Sequence, residues 1–303
     1  MALKDIKTKI AATNRTHKVT RAMEAVSAVK MRKTQAAALA GRPYARAALS
    51  ILARLSGSAG LARHPLMKVR PIKKKIALVI LTSDKGLAGA LNSGVIKAAA
   101  DAIASYAKTS VTIYAYGKKG EDYFTRREYR IARTFENKKD AIELPRLEEL
   151  AAELTEKFAQ GHYDEVLVAY SNFKSTFEQA PSVRRLLPLA VEELTRLVED
   201  IVPEKGKWSD IPTIESPAAY TLEPEDADVL SILLPRLTAV SLYHLLLESK
   251  ASEHSARMVA MKSASDKSKE VAHDLTRLFN KIRQAAITSE VSEIISGREA
   301  LAT

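Results

Sequence analysis

From Val240 to Ala285 the sequence repeats at alternating steps of three and four residues: Val240, Tyr243, Leu247, Lys250, His254, Arg257, Met261, Ala264, Ser268, Val271, Leu275, Leu278, Ile282 and Ala285. That period is the seam of a coiled coil, and it commits a long stretch of chain to one helix. Lys250, His254, Arg257 and Ser268 are poor residues for a dry seam, so part of it must face something other than a Leu-rich partner. The amino terminus has a matching pattern. Alanine, lysine and arginine dominate from Ala2 to about Ser56, a helix-favouring composition. Leu3, Ile6, Ile10, Thr13, His17, Thr20, Met23 and Val26 recur at the same steps, and Leu49, Leu52 and Leu55 resume the stripe.

At 1.5 Å per residue the first helix reaches ~80 Å and the last ~100 Å, whereas a middle domain of about 140 residues has a radius of gyration near ~14 Å. Helices of that length outrun the domain between them, and a lone projecting helix is marginal in water. The expectation is therefore that the terminal helices wrap around each other, antiparallel in preference to bent.

The middle of the chain has a different period. Ile76 to Leu81 is a buried apolar run, followed by the glycine-bearing turn TSDKGLAGALN, an alanine-rich amphipathic stretch and a second run from Val111 to Tyr116, which together make a βαβ pattern. A helical stretch from about Lys138 to Phe158 precedes another apolar run, Glu165 to Tyr170. Ser56 to Pro71 reads as a loop, because Gly57, Gly60 and Pro65 stop the first helix. Pro203, Pro212, Pro217 and Pro224 mark a boundary around Trp208, and Pro235 marks a kink or restart in the last helix. The fold class expected is a long coiled coil of the terminal helices with an inserted Rossmann-like α/β domain. The divisions are 1–56, 72–223 and 224–303.

Charge narrows the function. Residues 1–75 hold 18 Lys and Arg against Asp5 and Glu24, a balance of +16 within a chain of net +11, so the remainder sums to −5. A local basic arm points to nucleic acid, an acidic lipid surface or an acidic protein. No Trp, Phe or Tyr precedes Tyr44, which removes the stacking platforms for single strands. Small apolar residues, Ala22, Met23, Ala25, Val26, Ala28 and Val29, interrupt the charges, a mixture suited to packing on protein. With 0 cysteines there is no disulfide, thiolate site or cysteine nucleophile.

Chemistry-bearing motifs are weak. TSDKGLAGALN carries Gly86 and Gly89 before a helix but lacks the third glycine of a dinucleotide fingerprint and the Lys-Ser/Thr of a P-loop, so it reads first as a tight connection. Asp84 is expected to cap that helix or sit at its positive end. His17, His64, His162, His244, His254 and His273 have no metal-ligand spacing, and Glu148 and Glu149 are adjacent on a helix and point apart. No catalytic residue, cofactor or metal is expected.

Three blocks resemble one family. NRTHKVTRAMEAVSAVKMRK, from Asn14 to Lys33, looks like the amino-terminal helix of ATP synthase gamma subunits. SEHSARMVAMKSASDKSKE, from Ser252 to Glu270, and FNKIRQAAITSEVSEIISGREAL, from Phe279 to Leu301, resemble the carboxy-terminal helix, and TSDKGLAGALN resembles the turn after the first strand of the inserted domain. The resemblance implies an antiparallel coiled coil inside a hexamer of alpha and beta subunits. It also implies a Rossmann-like domain on the membrane c-ring, an epsilon partner and no nucleic acid. Met23 is expected near the lever loops of the catalytic subunits, and Arg257, Arg283, Gln284, Thr288 and Glu290 on the polar surface engaging the hexamer. The expected function is that of a non-catalytic rotor coupling ion flow to ATP synthesis or hydrolysis. The expected location is peripheral, on the cytoplasmic face of the bacterial inner membrane.

Overall fold

The structure is a computed structural model that describes residues 3–40, 64–71, 73–138, 142–190 and 226–302. The expected extension of the first helix to Ser56, the loop as far as Arg63 and the proline-rich stretch around Trp208 fall outside these residues. The described chain divides into two units, one running from Val29 to Ala256 and the other joining the residues up to Ala28 with those from Arg257 onward.

The first unit is built on a sheet. Strand β1 (Ile76–Leu81) is buried along its whole length, as a continuous apolar run in a central parallel strand must be. It pairs in parallel with β2 (Val111–Tyr116) on one side and with β4 (Glu165–Phe173) on the other. Two further strands complete the order β3-β2-β1-β4-β5, where β3 (Arg130–Phe135) is parallel to β2 and β5 (Gln179–Leu187) is antiparallel to β4. The bounds of β1 and β2 match the apolar runs in the sequence. Both edge strands escaped that reading, because half-exposed strands carry Arg130, Arg133, Arg184 and Arg185 where a central strand carries valine.

The pleat splits β1 between two cores. Ala77, Val79 and Leu81 join a cluster with Leu147, Leu150, Leu154 and Phe158 of α4 (Leu144–Ala159). Ile76, Leu78 and Ile80 join a second with Val95, Ala99 and Ile103 of α2 (Leu91–Ile103) and Phe124 of α3 (Lys118–Thr125). The expected helix from Lys138 begins only at Leu144, because Pro145 is tolerated in a first turn and not further in.

The long carboxy-terminal helix, α5 (Asp226–Ala302, 77 residues), runs through Pro235 without interruption. Its first part places Leu230, Leu234, Leu237, Leu242, Leu245 and Leu246 in the same core as α4. At ~1.5–3 kcal/mol per buried leucine, against about 0–1 kcal/mol for an exposed ion pair, apolar packing is what holds α5 to the sheet. This helix contains a stretch apolar enough by length and composition to cross a membrane, and half of that stretch is buried in the protein.

In the second unit the helix α1 (Leu3–Ala40) contributes its residues up to Ala28 and pairs with α5 from Arg257 on, as the antiparallel coiled coil expected from the seam. Ile6, Thr20 and Ser27 are buried, with Leu3, Ile10, Thr13, His17 and Met23 half-buried between and around them. The stripe on α1 is thus as expected through Met23, but Ser27 replaces Val26, which is 54% exposed. On α5 the buried and half-buried set from Met261 on is Met261, Ala264, Ser265, Ser268, Ala272, Leu275, Phe279, Ile282 and Ala286. Arg257, Met261, Ala264, Ser268, Leu275 and Ile282 keep the expected register. Val271, Leu278 and Ala285 do not, because from there the alternate rung lies one residue later, at Ala272, Phe279 and Ala286. A three-four repeat is symmetric enough that only the partner helix chooses between the two phases.

The polar seam residues are satisfied at close range. The hydroxyls of Thr13, Thr20 and Ser268 donate to carbonyls one turn back, at 2.9, 2.9 and 2.7 Å. His17 Nδ1 lies 3.0 Å from both the carbonyl and the hydroxyl oxygen of Ser265, so one tautomer donates to the carbonyl and the other accepts from the hydroxyl.

Candidate functional site

In a doubly wound sheet, ligands sit beyond the carboxyl ends of the strands where the crossovers part, here between β1 and β4. TSDKGLAGALN leaves β1 at that point, and its polar groups are engaged with the protein itself. Thr82 Oγ1 accepts the Gly120 amide at 2.9 Å. The Ser83 amide donates to Asn92 Oδ1 at 3.0 Å, while Asn92 Nδ2 donates to Ser83 Oγ at 2.8 Å.

Asp84 does not cap α2, which follows Ala90 with no side-chain cap. Its carboxylate accepts the amide of Lys118, at the start of α3, and that of Asn137, beyond β3, each at 2.8 Å. The positive end it neutralises is that of a helix 34 positions on. Leu87 is left on the surface, 61% exposed, with a left-handed φ of 64°.

Helix α5 closes the same crevice. The Ser252 hydroxyl donates to the Ser171 carbonyl in β4 at 3.0 Å, and Ser255 donates to the Thr176 carbonyl in the β4–β5 turn at 2.6 Å. Ser249 Oγ lies 3.5 Å from the Leu81 carbonyl at the end of β1. The place where a Rossmann enzyme holds a dinucleotide is here occupied by a helix of the chain itself.

Two titratable clusters tie the sheet to its helices. Tyr114 bonds Glu153 at 2.9 Å and Tyr163 at 3.0 Å, and Glu153 also receives Lys157 at 2.7 Å and Arg133 at 3.1 Å. Burial first, then the bond to Tyr163, pushes the Tyr114 phenol far up. Burial also raises Glu153, but its bonds from Lys157, Tyr114 and Arg133 outweigh that and hold it below the usual carboxylate range. Asp164 behaves alike, since its bonds from the Lys74 and Lys75 amides and from Arg70 overcome the burial effect. The first cluster fastens α4 to β2 and β3, and the second fastens the loop after α4 to the segment leading into β1. Among the described residues no group of three His, Asp or Glu side chains is placed to hold a metal ion.

The residues singled out as an interface lie on the helices. Met23 on α1 and Arg257 on α5 are half-buried, while Arg283, Gln284, Thr288 and Glu290 are all exposed. On α5 they form two stripes, Arg283 with Glu290 two turns on, and Gln284 with Thr288 one turn on. Thr288 Oγ1 donates to the Gln284 carbonyl at 2.9 Å.

Between these stripes runs an apolar strip not identified from the sequence: Ile287, Val291, Ile294 and Ile295, exposed by 51, 49, 71 and 53%. Its spacing of four, three and one is a helix face, turned away from the one that carries Ile282 and Ala286, and the signal was an apolar run at helical spacing off the expected seam. On α1, Val19 and Val26 are likewise 57 and 54% exposed two turns apart. Apolar strips rimmed by polar side chains are the mark of protein surfaces that meet other proteins.

Comparison with known proteins decides the family. The family model described as ATP synthase matches residues 2–301. The ATP synthase gamma chain of Roseiflexus castenholzii is 41% identical over 304 aligned positions, covering 99% of this chain and 98% of that protein. The chain belongs to the ATP synthase gamma family. The sodium ion specific gamma chain of Acetobacterium woodii is 38% identical over 99% of this chain and 98% of that protein. Among solved structures, a chain of the Euglena gracilis mitochondrial ATP synthase, solved with F1 and the c-ring, has the same fold, with a TM-score of 0.64 and 19% identity. The match covers 99% of this chain and 94% of that one. As gamma chains form the central stalk of F-type ATP synthases, the coiled coil is the stalk and the α/β unit its inserted domain.

Proposed function

We propose that this gamma chain is the non-catalytic rotor shaft of its complex. Its carboxy-terminal turns sit inside the alpha and beta hexamer, and its α/β body rides with the epsilon subunit on the c-ring at the cytoplasmic face of the bacterial inner membrane. Ion flow turns the ring and shaft, and the shaft drives the catalytic sites of the hexamer in sequence. The observation that carries this reading is the strip Ile287, Val291, Ile294 and Ile295, exposed on α5 and flanked by Arg283, Gln284, Thr288 and Glu290. An exposed apolar strip needs an enclosing partner, and polar flanks suit one that must also slide. Met23 and Arg257 extend the interface further along the shaft. The helix of α5 filling the nucleotide crevice supports a role without catalysis. The division expected from the sequence, at 1–56, 72–223 and 224–303, is kept as that of shaft, insert and shaft.

The native chain has no cysteine, so one introduced thiol reports one position. Thr288→Cys should cross-link to an alpha or beta subunit in the assembled complex and lower multi-site ATP turnover until the bond is reduced. Thr109→Cys, exposed on the α/β body, should reach neither. The reverse pattern would refute the orientation.

A further inference from the structure

Where α5 passes the carboxyl ends of β1 and β4, its buried face changes character. Leu245, Leu246 and Leu247 give way to Ser249, Lys250, Ser252, Glu253, His254 and Ser255, all buried. Apolar side chains of similar size would fill that space with no polar group to satisfy, whereas each buried hydroxyl or charge needs a partner. The three serines, every third residue, lie along one side of the helix and reach three separate pieces of the body. These are the Leu81 carbonyl ending β1, the Ser171 carbonyl in β4 and the Thr176 carbonyl in the β4–β5 turn, at 3.5, 3.0 and 2.6 Å. Gln179 Nε2, from the first residue of β5, comes within 3.4 Å of Ser255 Oγ. The serines themselves are 3, 0 and 0% exposed.

Hydrophobic packing is proportional to area and has no direction, so leucines on a sheet resist separation far better than they resist rolling. Hydrogen bonds weaken steeply when bent or stretched, so three of them to β1, β4 and the β4–β5 turn fix the angle of a helix about its own axis. We propose that Ser249, Ser252 and Ser255 are positioning residues that lock the rotational setting of α5 on the sheet, a torsional clutch through which torque passes between the helix and the α/β body. The clutch rests on the shaft reading given above.

The test uses the whole complex. The chain carrying Ser252→Ala and Ser255→Ala is assembled, the hexamer is fixed to a surface and stalled with nucleotide, and angular fluctuations of a probe attached through Thr109→Cys on the α/β body are recorded. Removal of two of the three directional bonds should raise the angular variance roughly twofold, with ATP turnover by the hexamer retained and ATP-driven ion pumping lowered relative to it. Ser255→Thr, which keeps a hydroxyl, should restore a near-normal variance when combined with native Ser252. An unchanged variance in the double variant overturns the clutch. If the double variant does not assemble, Ser255→Ala alone is measured against Ser255→Thr, and equal variance in those two overturns it as well. Failure of the unsubstituted chain to rotate would instead refute the shaft reading, so the two failures are distinguishable.

Discussion

Gly117 joins the end of β2 to the start of α3, and a single methyl group there should cost more than any surface change in the α/β body. Its φ is 99°, and a Cβ would lie 1.9 Å from the Thr82 carbonyl oxygen and 2.6 Å from the carbonyl carbon. Those atoms are backbone at the end of a buried central strand, so no rotamer change relieves the overlap. The left-handed conformation costs about 1–2 kcal/mol for a residue with a Cβ. Moving the Thr82 carbonyl also breaks its bond from Asn137 Nδ2, at 2.8 Å. Loss of a buried bond with its partner left unsatisfied adds about 1–3 kcal/mol. Gly117→Ala should therefore destabilise the full chain by ~2–5 kcal/mol, measured as the shift in urea midpoint by circular dichroism. Gly86→Ala is the control, because nothing lies within 4 Å of a Cβ at that position. It should stay within about 0.5 kcal/mol of the native chain. A Gly117→Ala cost below ~1 kcal/mol would refute the packing described between β1 and α3.

Asp84→Ala removes the acceptor of two backbone amides and should cost about 1–2 kcal/mol in the same assay, with Asp84→Asn recovering part of it. Asp164 has its pKa depressed in the folded chain, so its contribution is complete above the ordinary carboxylate value near ~4 and is lost as pH falls through the lower folded value. Asp164→Asn should accordingly lower the thermal midpoint at neutral pH and show a smaller loss than the native chain on acidification. A parallel pair of pH profiles would refute this. Glu153, shifted in the same direction, should account for acid sensitivity that remains in the variant.

Sequence periodicity alone determined the elements whose burial is uniform. Strands β1 and β2 are apolar at nearly every position because both of their faces are covered, and the stripe from Leu3 to Met23 on α1 is legible because one face of a long helix must be. The gamma-family blocks added identity and, with it, the residues from Met23 to Glu290 proposed here as an interface. Tertiary structure decided everything that depends on a partner distant in sequence. Strands β3 and β5 exist because β2 and β4 offer free edges, and their arginines hide the pattern. The phase of the seam, Ala272 and Phe279 in place of Val271 and Leu278, is chosen by α1. Asp84 caps a helix 34 positions on because the sheet brings it there. Lys250 and His254, unsuited to a dry coiled coil, are buried in the unit that holds the α/β sheet and not in the one that forms the coil, with Ser249, Ser252 and Ser255 bonded to β1, β4 and the β4–β5 turn beside them. Periodicity reports that a residue is buried; against what, and with which bond, is fixed only when the chain has folded.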